Sequence, residues 1–293
     1  MHSYLRSVGF SHINNRIELD QILGQVMDSP TSKKTTIINQ NIRQTEIRRD
    51  FGDGFGITIR GEYDEKGFFH LEHYFPHMIG RFPTATEDVI VNKRVDTDAY
   101  TAMCDDIRLG VSLIFYLQNS IDYLESKKQL NQYHTMLPVT LAALSTEGKV
   151  LLPIEKNEEQ LRIQASEARQ RYKWINEAKK GNQEAIDSLT LEEIDTYSMI
   201  SHRARKEDLY SIVESSFVPY GSESDNYTIL GTIQEVEEHQ NWLTGEQLYE
   251  LTVNCNDLIY SVCINKTDLM GEPTLGRRFK GNIWLQGTVD FTE

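Results

Sequence analysis

The sequence is short of cysteine and contains no long apolar run. Its three cysteines, Cys104, Cys255 and Cys263, form no CxxC pair, so neither a zinc knuckle nor a disulfide framework is predicted. No stretch reaches the roughly 18 apolar residues that a membrane span needs, and the N-terminal MHSYLRSVGF lacks the apolar core of a signal peptide. We therefore expect no membrane contact, reduced thiols and a cytoplasmic location.

Basic residues are outnumbered by acidic ones, 30 Lys and Arg against 44 Asp and Glu, which gives a net charge of -14. A field of this sign repels phosphate backbones unless a local patch reverses it, so nucleic acid is disfavoured as a partner. Apolar residues make up 39% of the chain and charged residues 25%, a balance typical of a folded globular protein. A homo-oligomer or a protein partner is compatible with this composition.

The chain also lacks the signatures of serine hydrolases, protein kinases and Rossmann dinucleotide-binding proteins. The glycines between Phe51 and Gly56 resemble those of a phosphate-binding loop, but the GxGxxG spacing and the P-loop lysine are missing. We predict a turn before a strand at this place. Catalytic residues and cofactors are left unassigned.

Two clusters of potential metal ligands have unsuitable spacing. In HLEHYFPH, which holds His70, His73 and His77, a strand would point the first two to opposite faces. The second cluster consists of Asp96, Asp98, Asp105 and Asp106. It lacks the glycine and terminal Glu of an EF-hand loop, which favours a solvated acidic loop. No metal site is predicted.

The N-terminal half has the pattern of an α+β domain over residues 1–153. Asn15 and Glu18 form a helix start, and Leu19, Ile22 and Val26 follow at helical spacing. Alternating or apolar runs predict strands at 57–63, 68–75, 89–95, 111–117, 139–144 and 150–152. Ser-Thr-Glu-Gly-Lys between the last two predicts a hairpin, and the sheet is expected to be mainly antiparallel.

A helical segment is predicted for residues 154–222. Leu161, Ala168 and Tyr172 belong to an apolar stripe at steps of three and four residues, which predicts a helix over 157–180. The stripe should cover another element and leave the basic residues of the helix in water. Thr190, with an acid three residues later, predicts the start of a second helix.

The last segment, 223–293, has the pattern of a small β-barrel of the OB type. Strands are predicted at 227–236, 247–253, 258–264 and 282–291. Interior glycines permit tightly curved strands, and Asn254 to Asp257 is predicted as a turn. Trp284 and Phe291 are expected on strands of this barrel.

The connection over 268–280 has two interpretations. In the structural one, which we favour, its basic groups pair with nearby carboxylates or backbone and its glycines serve ordinary turns. In the other, it forms a basic and aromatic rim for an anionic ligand. The candidate ligand-binding residues are then Arg277, Arg278, Lys280 and Trp284.

Several motifs of the chain carry a family resemblance. They include Met1-His-Ser-Tyr-Leu-Arg6, Phe115-Tyr-Leu-Gln-Asn119, Pro219-Tyr-Gly221, Tyr227-Thr-Ile-Leu-Gly231, Gly271-Glu-Pro273, Gly276-Arg-Arg-Phe-Lys-Gly281 and Ile283-Trp-Leu-Gln-Gly287. On these residues the chain resembles a family of uncharacterised proteins of anaerobic Gram-positive bacteria, a domain of unknown function. The resemblance spans nearly the whole chain and implies that the three segments belong together in one complete protein. It implies no particular activity.

Three classes of function are compatible with these features. A non-catalytic binding or scaffolding protein is the expectation, because small barrels commonly present ligand surfaces and no catalytic set is visible. An enzyme whose site is assembled from distant segments is the first alternative. The second is an OB-type nucleic-acid binder that uses the basic patch at 277–280.

Overall fold

The computed structural model describes residues 1–39, 42–95, 97, 99–106, 108–109, 111–127, 136–222 and 224–292. A short 3-10 helix over Ser3–Val8 comes first. The α-helices are α1 (Arg16–Asp28), α2 (Ser120–Ser126), α3 (Glu158–Ala178), α4 (Gln183–Arg203) and α5 (Leu209–Ile212). The strands are β1 (Ser32–Asn39), β2 (Ile42–Asp50), β3 (Phe55–Tyr63), β4 (Phe69–Met78), β5 (Ala85–Asp88), β6 (Ile90–Lys93), β7 (Tyr100–Asp106), β8 (Val111–Leu117), β9 (Met136–Leu151), β10 (Ser216–Pro219), β11 (Asn226–Gln240), β12 (Gln247–Cys255), β13 (Leu258–Asn265), β14 (Leu269–Met270) and β15 (Arg278–Val289).

The fold is mixed α+β, as predicted, with an antiparallel sheet near the N-terminus, helices in the middle and a large sheet completed by the C-terminal part. In the described part of the chain the first sheet has four strands in the order β1-β2-β3-β4. Asn15 caps α1 by accepting the backbone N–H of Glu18, as expected. Leu19 and Leu23 of α1 share one buried core with Ile57 of β3. Every helix of the described residues is too short or too polar to cross a lipid bilayer.

The larger sheet contains eleven strands within the described residues, and five of them pair in a closed circuit. β11 pairs with β12, β12 with β13, β13 with β9, β9 with β15, and β15 again with β11. The β13–β9 pairing is parallel and the other four are antiparallel. Ile229, Val253, Val262 and Leu285, from four of these strands, belong to one buried core. These four strands therefore contribute to one hydrophobic core.

β9 corrects the predicted hairpin at Ser145–Lys149. Residues 139–144 and 150–152 do not form two strands joined by a turn, because one strand runs from Met136 to Leu151. β15 pairs along its length, with a single register shift between Asn282 and Ile283. At that bulge the Ser145 hydroxyl donates to the Asn282 carbonyl over 2.8 Å. The polar Ser-Thr-Glu-Gly-Lys run thus marks a bulge, a feature whose composition resembles that of a turn.

The strands predicted at 89–95, 111–117 and 139–144 do not join the N-terminal sheet. β6, β7 and β8 extend the large sheet beyond β15, and β9 lies between β13 and β15. The residues from 223 onward therefore supply four strands of the closed circuit and the segment before 153 supplies the fifth. The division into units 1–153, 154–222 and 223–293 remains a prediction.

β15 is buried on both faces. Ile283 and Leu285 belong to the core inside the circuit, whereas Trp284 belongs to the core beneath the four-stranded sheet. This alternation follows from the two-residue period of a strand. Phe291 was expected on a strand, but β15 ends at Val289.

The turn between β12 and β13 is tighter than predicted. Cys255 pairs with Leu258, so the turn consists of Asn256 and Asp257 instead of four residues. Both have positive φ, 51° and 63°, which Asn and Asp tolerate better than other non-glycine residues. All three cysteines are free, as expected.

The helical segment agrees only in part with its prediction. α3, Glu158–Ala178, confirms the helix predicted over 157–180. Its residues Arg169 and Lys173 are exposed as expected, and so is Lys180 just beyond its end. Its apolar stripe is not covered along its whole length, because Ile175 is buried while Leu161 is 52% exposed.

The second helix starts earlier than predicted. α4 begins at Gln183 after Asn182, whose side chain accepts the N–H groups of Glu184 and Ala185. Thr190 lies inside the helix, where its hydroxyl donates to the Ile186 carbonyl. A capping motif is therefore no proof of a helix start when an upstream cap is available.

The two sheets are joined by a fully buried arginine, Arg60 of β3. Its Nε donates to the Glu46 carboxylate over 2.9 Å, and Nη1 donates to the Tyr116 hydroxyl over 3.1 Å. Nη2 donates to the carbonyls of Leu117 and Gln118 at 3.0 and 2.6 Å. One guanidinium thus links β2 and β3 to the end of β8.

Replacing Arg60 by glutamine is expected to lower the free energy of unfolding by about 3–5 kcal/mol, because Glu46 loses its partner and two carbonyls lose their donor. Arg43 on β2 is exposed, so Arg43→Gln is a matched control with an expected change below about 0.5 kcal/mol. Denaturant unfolding followed by circular dichroism measures both. Equally small losses in the two variants would contradict the joining role of Arg60.

Candidate functional site

A polar cleft of about 870 Å³ lies where the four-stranded sheet meets the large sheet and α2. Its lining includes Lys34, Glu46, Arg48, Thr58, His77, Gln118, Asp122, Glu125, Thr140, Thr288 and Asp290. The walls are contributed by β1 to β4, α2, β9 and the end of β15. The polar cleft thus exists only because the two sheets are held side by side.

The polar lining follows from the alternation of residues along the strands. In β2, Glu46, Arg48 and Asp50 occupy every second position, and in β3 Thr58 alternates with the apolar Ile57. Successive side chains of a strand point to opposite faces. The apolar set packs toward α1, which leaves the polar set facing the large sheet.

Three side chains in this wall form a continuous hydrogen-bonded chain, the Asp50–His77–Thr58 chain. Asp50 Oδ1 lies 2.9 Å from His77 Nε2, and His77 Nδ1 lies 2.9 Å from the Thr58 hydroxyl oxygen. Gly56 of β3 pairs with Asp50 on one side and with His77 on the other. Because glycine has no side chain, Asp50 and His77 can meet across it.

The electrostatics of this chain fix its proton positions. Burial raises the pKa of Asp50, but hydrogen bonds from His77 and Arg48 outweigh it and lower that pKa to about 2. Burial lowers the pKa of His77, and Asp50 only partly opposes this. At neutral pH an ionised Asp50 therefore accepts from Nε2–H of a neutral His77. His77 Nδ1 is then an acceptor, and the Thr58 hydroxyl donates to it.

Most other charges of the polar cleft are paired within the protein. Lys34 Nζ lies 2.7 Å from Asp122, and Arg48 Nε lies 2.8 Å from Asp50. Among the described residues, no ion pair engages the two remaining acids, Glu125 and Asp290, which both line the polar cleft. A bound molecule would therefore meet a surplus of negative charge.

A second cluster, of Glu237, His239 and Glu250, brings three potential metal-ligand atoms within 4.8 Å of one another. Arg81 lies against the same carboxylates, with hydrogen bonds to both Glu237 and Glu250. His239 Nε2 lies 3.0 Å from Glu250, and Ser261 donates to it over 2.8 Å. Arg81 supplies the positive charge that a metal ion would bring, so we assign this cluster a structural role.

Each of the residues predicted for an anion site makes a hydrogen bond within the protein. Arg278 is buried and donates to three backbone carbonyls, those of Leu152, Val213 and Tyr210, at 2.7–3.0 Å. Arg277 donates to the Glu272 carbonyl over 2.8 Å. These contacts favour the structural interpretation of the 268–280 connection, and its role as a ligand site remains a prediction.

The other members of that predicted site also have protein partners. Lys280 contacts the hydroxyl of Tyr210 and lies 4.5 Å above its ring. Trp284 is only 5% exposed and donates through its indole nitrogen to Asp225 over 3.0 Å. Trp284 therefore belongs to the protein core.

The remaining sequence motifs have simple positions in the fold. The glycines between Phe51 and Gly56 form the turn before β3, as predicted. Asp106 is buried and paired with Arg108, while Asp105 accepts from Ser112. The other two members of the acidic stretch, at 96 and 98, lie outside the described residues.

Replacing Arg278 by alanine is expected to destabilise the protein by about 2–4 kcal/mol, because three carbonyls lose a charged donor. Arg277→Ala is the matched control, with an expected loss of at most about 1 kcal/mol, since Arg277 is only partly buried and makes a single such bond. Thermal and denaturant unfolding measure both. An Arg278→Ala variant as stable as the wild type would contradict this structural role and support the anion-site interpretation.

The sequence interpretation missed the Asp50–His77–Thr58 chain. His77 was considered only with His70 and His73 as a metal ligand, and His70 is instead exposed beside Asp64 at 3.1 Å. One signal is present in the sequence, because Glu46, Arg48 and Asp50 carry charges at every second position, the period of a strand with one polar face. Charged residues on a strand that cannot face water indicate a buried polar interface.

A family model described as "Domain of unknown function, E. rectale Gene description (DUF3881)" matches residues 5–287. No curated protein matches the chain, and no solved structure matches it. The match covers nearly the whole chain, as does the resemblance carried by the sequence motifs.

Proposed function

We propose that this chain, which belongs to the DUF3881 family, is a binding protein whose polar cleft holds a small polar molecule. The observation that carries the proposal is the polar cleft itself, which has about 870 Å³ and is walled by both sheets. Cavities that bind small molecules have typical volumes of about 300–1,000 Å³ and often lie between structural units. A ligand in this position would contact both sheets at once.

The charge of the lining selects the class of ligand. Lys34 and Arg48 are neutralised by Asp122 and Asp50, whereas no ion pair of the described residues neutralises Glu125 or Asp290. The field at the mouth therefore disfavours anions. Hydroxyl groups of Thr140 and Thr288 add hydrogen-bonding capacity. We expect a neutral or cationic molecule with several donors, such as a sugar, a nucleoside or a polyamine.

A thermal-shift screen tests this function. Sugars, nucleosides and polyamines are expected to include compounds that raise the melting temperature, because a ligand of the native state stabilises it. Their phosphorylated or carboxylated counterparts should give smaller shifts. Thr288→Phe, which fills the polar cleft, should abolish the shift.

Thr274→Phe, at an exposed position outside the polar cleft, is the control and should leave the shift unchanged. Without ligand, both variants must have melting temperatures within a few degrees of that of the wild type. A shift that survives Thr288→Phe would place binding elsewhere. An absence of any shift across all three classes would refute the proposal.

A second candidate function is hydrolysis of an ester bound in the polar cleft, favoured by the Asp50–His77–Thr58 chain. Thr58 Oγ1 would attack the ester carbonyl carbon while its proton passes to His77 Nδ1. The bond to the leaving oxygen then breaks and His77 returns the proton to that oxygen. In the second step water attacks the acyl carbon while its proton passes to His77 Nδ1. The bond to Thr58 Oγ1 then breaks, the carboxylic acid is released, and His77 returns the proton to Thr58 Oγ1.

An activated acetyl ester tests this candidate. Thr58→Val and His77→Gln are expected to reduce hydrolysis at least tenfold, because each removes one member of the chain. Thr274→Val, at an exposed position outside the polar cleft, should retain the rate. An acetyl group mapped to Thr58 by mass spectrometry would support the mechanism. Equal rates in Thr58→Val and the wild type would leave ligand binding as the function.

We also propose that the closed circuit of β11, β12, β13, β9 and β15 is an OB-like barrel. Its five strands and its enclosed core support this interpretation. Nucleic-acid binding through 277–280 is disfavoured because Arg278 is occupied by backbone carbonyls. A cytoplasmic location is supported by three free, buried thiols.

A further inference from the structure

α3 and α4 form a helical hairpin that packs together only near its connection. There, Ile175 and Ala178 of α3 contact Ala185 and Leu189 of α4 in a small buried core. Farther from the connection both helices expose large apolar side chains. The exposed fractions are 52% for Leu161, 67% for Tyr172, 62% for Leu191, 57% for Ile194 and 75% for Tyr197.

On α3 four of the exposed apolar residues form a stripe, the α3 stripe, whereas Ile163, 51% exposed, lies on the opposite face. The α3 stripe consists of Leu161, Ala165, Ala168 and Tyr172. The spacing of four, three and four residues places them on the same face of the helix. Arg162, Arg169 and Lys173 are exposed along one flank of this face.

On α4 a second stripe, the α4 stripe, consists of Leu191, Ile194 and Tyr197 at steps of three residues. Ala185 and Leu189, which pack against α3, lie on another face of the helix. Glu193 and Asp195 are exposed on the two sides of the α4 stripe. The two helices thus carry apolar stripes with flanks of opposite charge.

Among the described residues, no ion pair engages Arg169, Lys173, Glu193 or Asp195. One ion pair within the hairpin joins a basic residue of α3 to an acidic residue of α4, since Arg171 lies 2.6 Å from Glu192. The basic flank of α3 in one copy and the acidic flank of α4 in another copy offer the same kind of ion pair between two hairpins.

We propose that this hairpin is a docking surface for a second copy of the same chain. The α3 stripe of one copy packs on the α4 stripe of the other, and a two-fold axis repeats the contact. Such a contact requires apolar stripes with oppositely charged flanks. Each chain carries both. The product is a four-helix bundle between two copies, a geometry in which facing apolar stripes form the core.

This arrangement removes the exposed apolar side chains from water. A contiguous apolar face on a protein surface is typical of an interaction site. Charges at the edge of such an interface select the orientation more than they add affinity. Opposite flanks therefore favour α3 against α4 and disfavour α4 against α4.

Sedimentation velocity of the full chain tests the proposal. The wild type is expected to sediment as a dimer of the 33.8 kDa chain at micromolar concentration. Ile194→Asp combined with Tyr197→Asp should give a monomer. Thr196→Asp, exposed but outside the α4 stripe, is the control and should remain dimeric.

A charge exchange tests the pairing of the two helices. One variant carries Arg169→Glu and Lys173→Glu, and the other carries Glu193→Lys and Asp195→Lys. Each alone should weaken self-association at least tenfold, because α3 and α4 then have the same sign. Mixed together they should form a heterodimer, since each acidic helix then meets a basic one.

Circular dichroism and the melting temperature establish that each variant is folded, since all the substituted residues are exposed. A monomeric wild type at micromolar concentration would overturn the proposal and leave the surface to another protein. A mixture that fails to associate would overturn the α3-to-α4 pairing. Neither the sedimentation of the variants nor the association of the mixed variants depends on ligand binding in the polar cleft.

Discussion

The buried guanidinium of Arg60 ties the four-stranded sheet to the large sheet, and the rest of the structure depends on that junction. Its donors are divided between the Glu46 carboxylate and the end of β8, where it contacts Tyr116 and two backbone carbonyls. A charge in this position has no access to water, so it requires all of these partners. The geometry of the polar cleft follows, because one of its walls is the face of the sheet that Arg60 anchors.

β9 has a comparable role within the large sheet. Leu141 and Ala143 point into the core of the closed circuit, whereas Ala142 and Leu144 point into the core shared with α1 and the four-stranded sheet. One strand therefore belongs to two hydrophobic cores. Its position between β13 and β15 links the parts of the chain before and after the helices into one sheet.

The helical hairpin is the part of the protein that contributes least to these cores. Its small core at Ile175 and Leu189 holds the two helices together near their connection, and Lys179 attaches α3 to Glu87 of β5 at 2.6 Å. The rest of α3 and α4 is largely in water. The polar cleft and the hairpin are thus separate features, and the first can bind a ligand without the second.

The sequence by itself determined the local features: the cap of α1 at Asn15, the α3 helix, the strands with clear alternation or apolar runs, though not β1 or β2, and the free cysteines. These depend on residues near one another in the chain, whose periodicity and capping are visible in one dimension. Only the tertiary structure decided that β9 is one strand, that Trp284 lies in a core, and that Asp50 meets His77. Those results depend on which strands become neighbours. The register between strands that are far apart in the sequence is set by tertiary packing, which a local sequence pattern does not reveal.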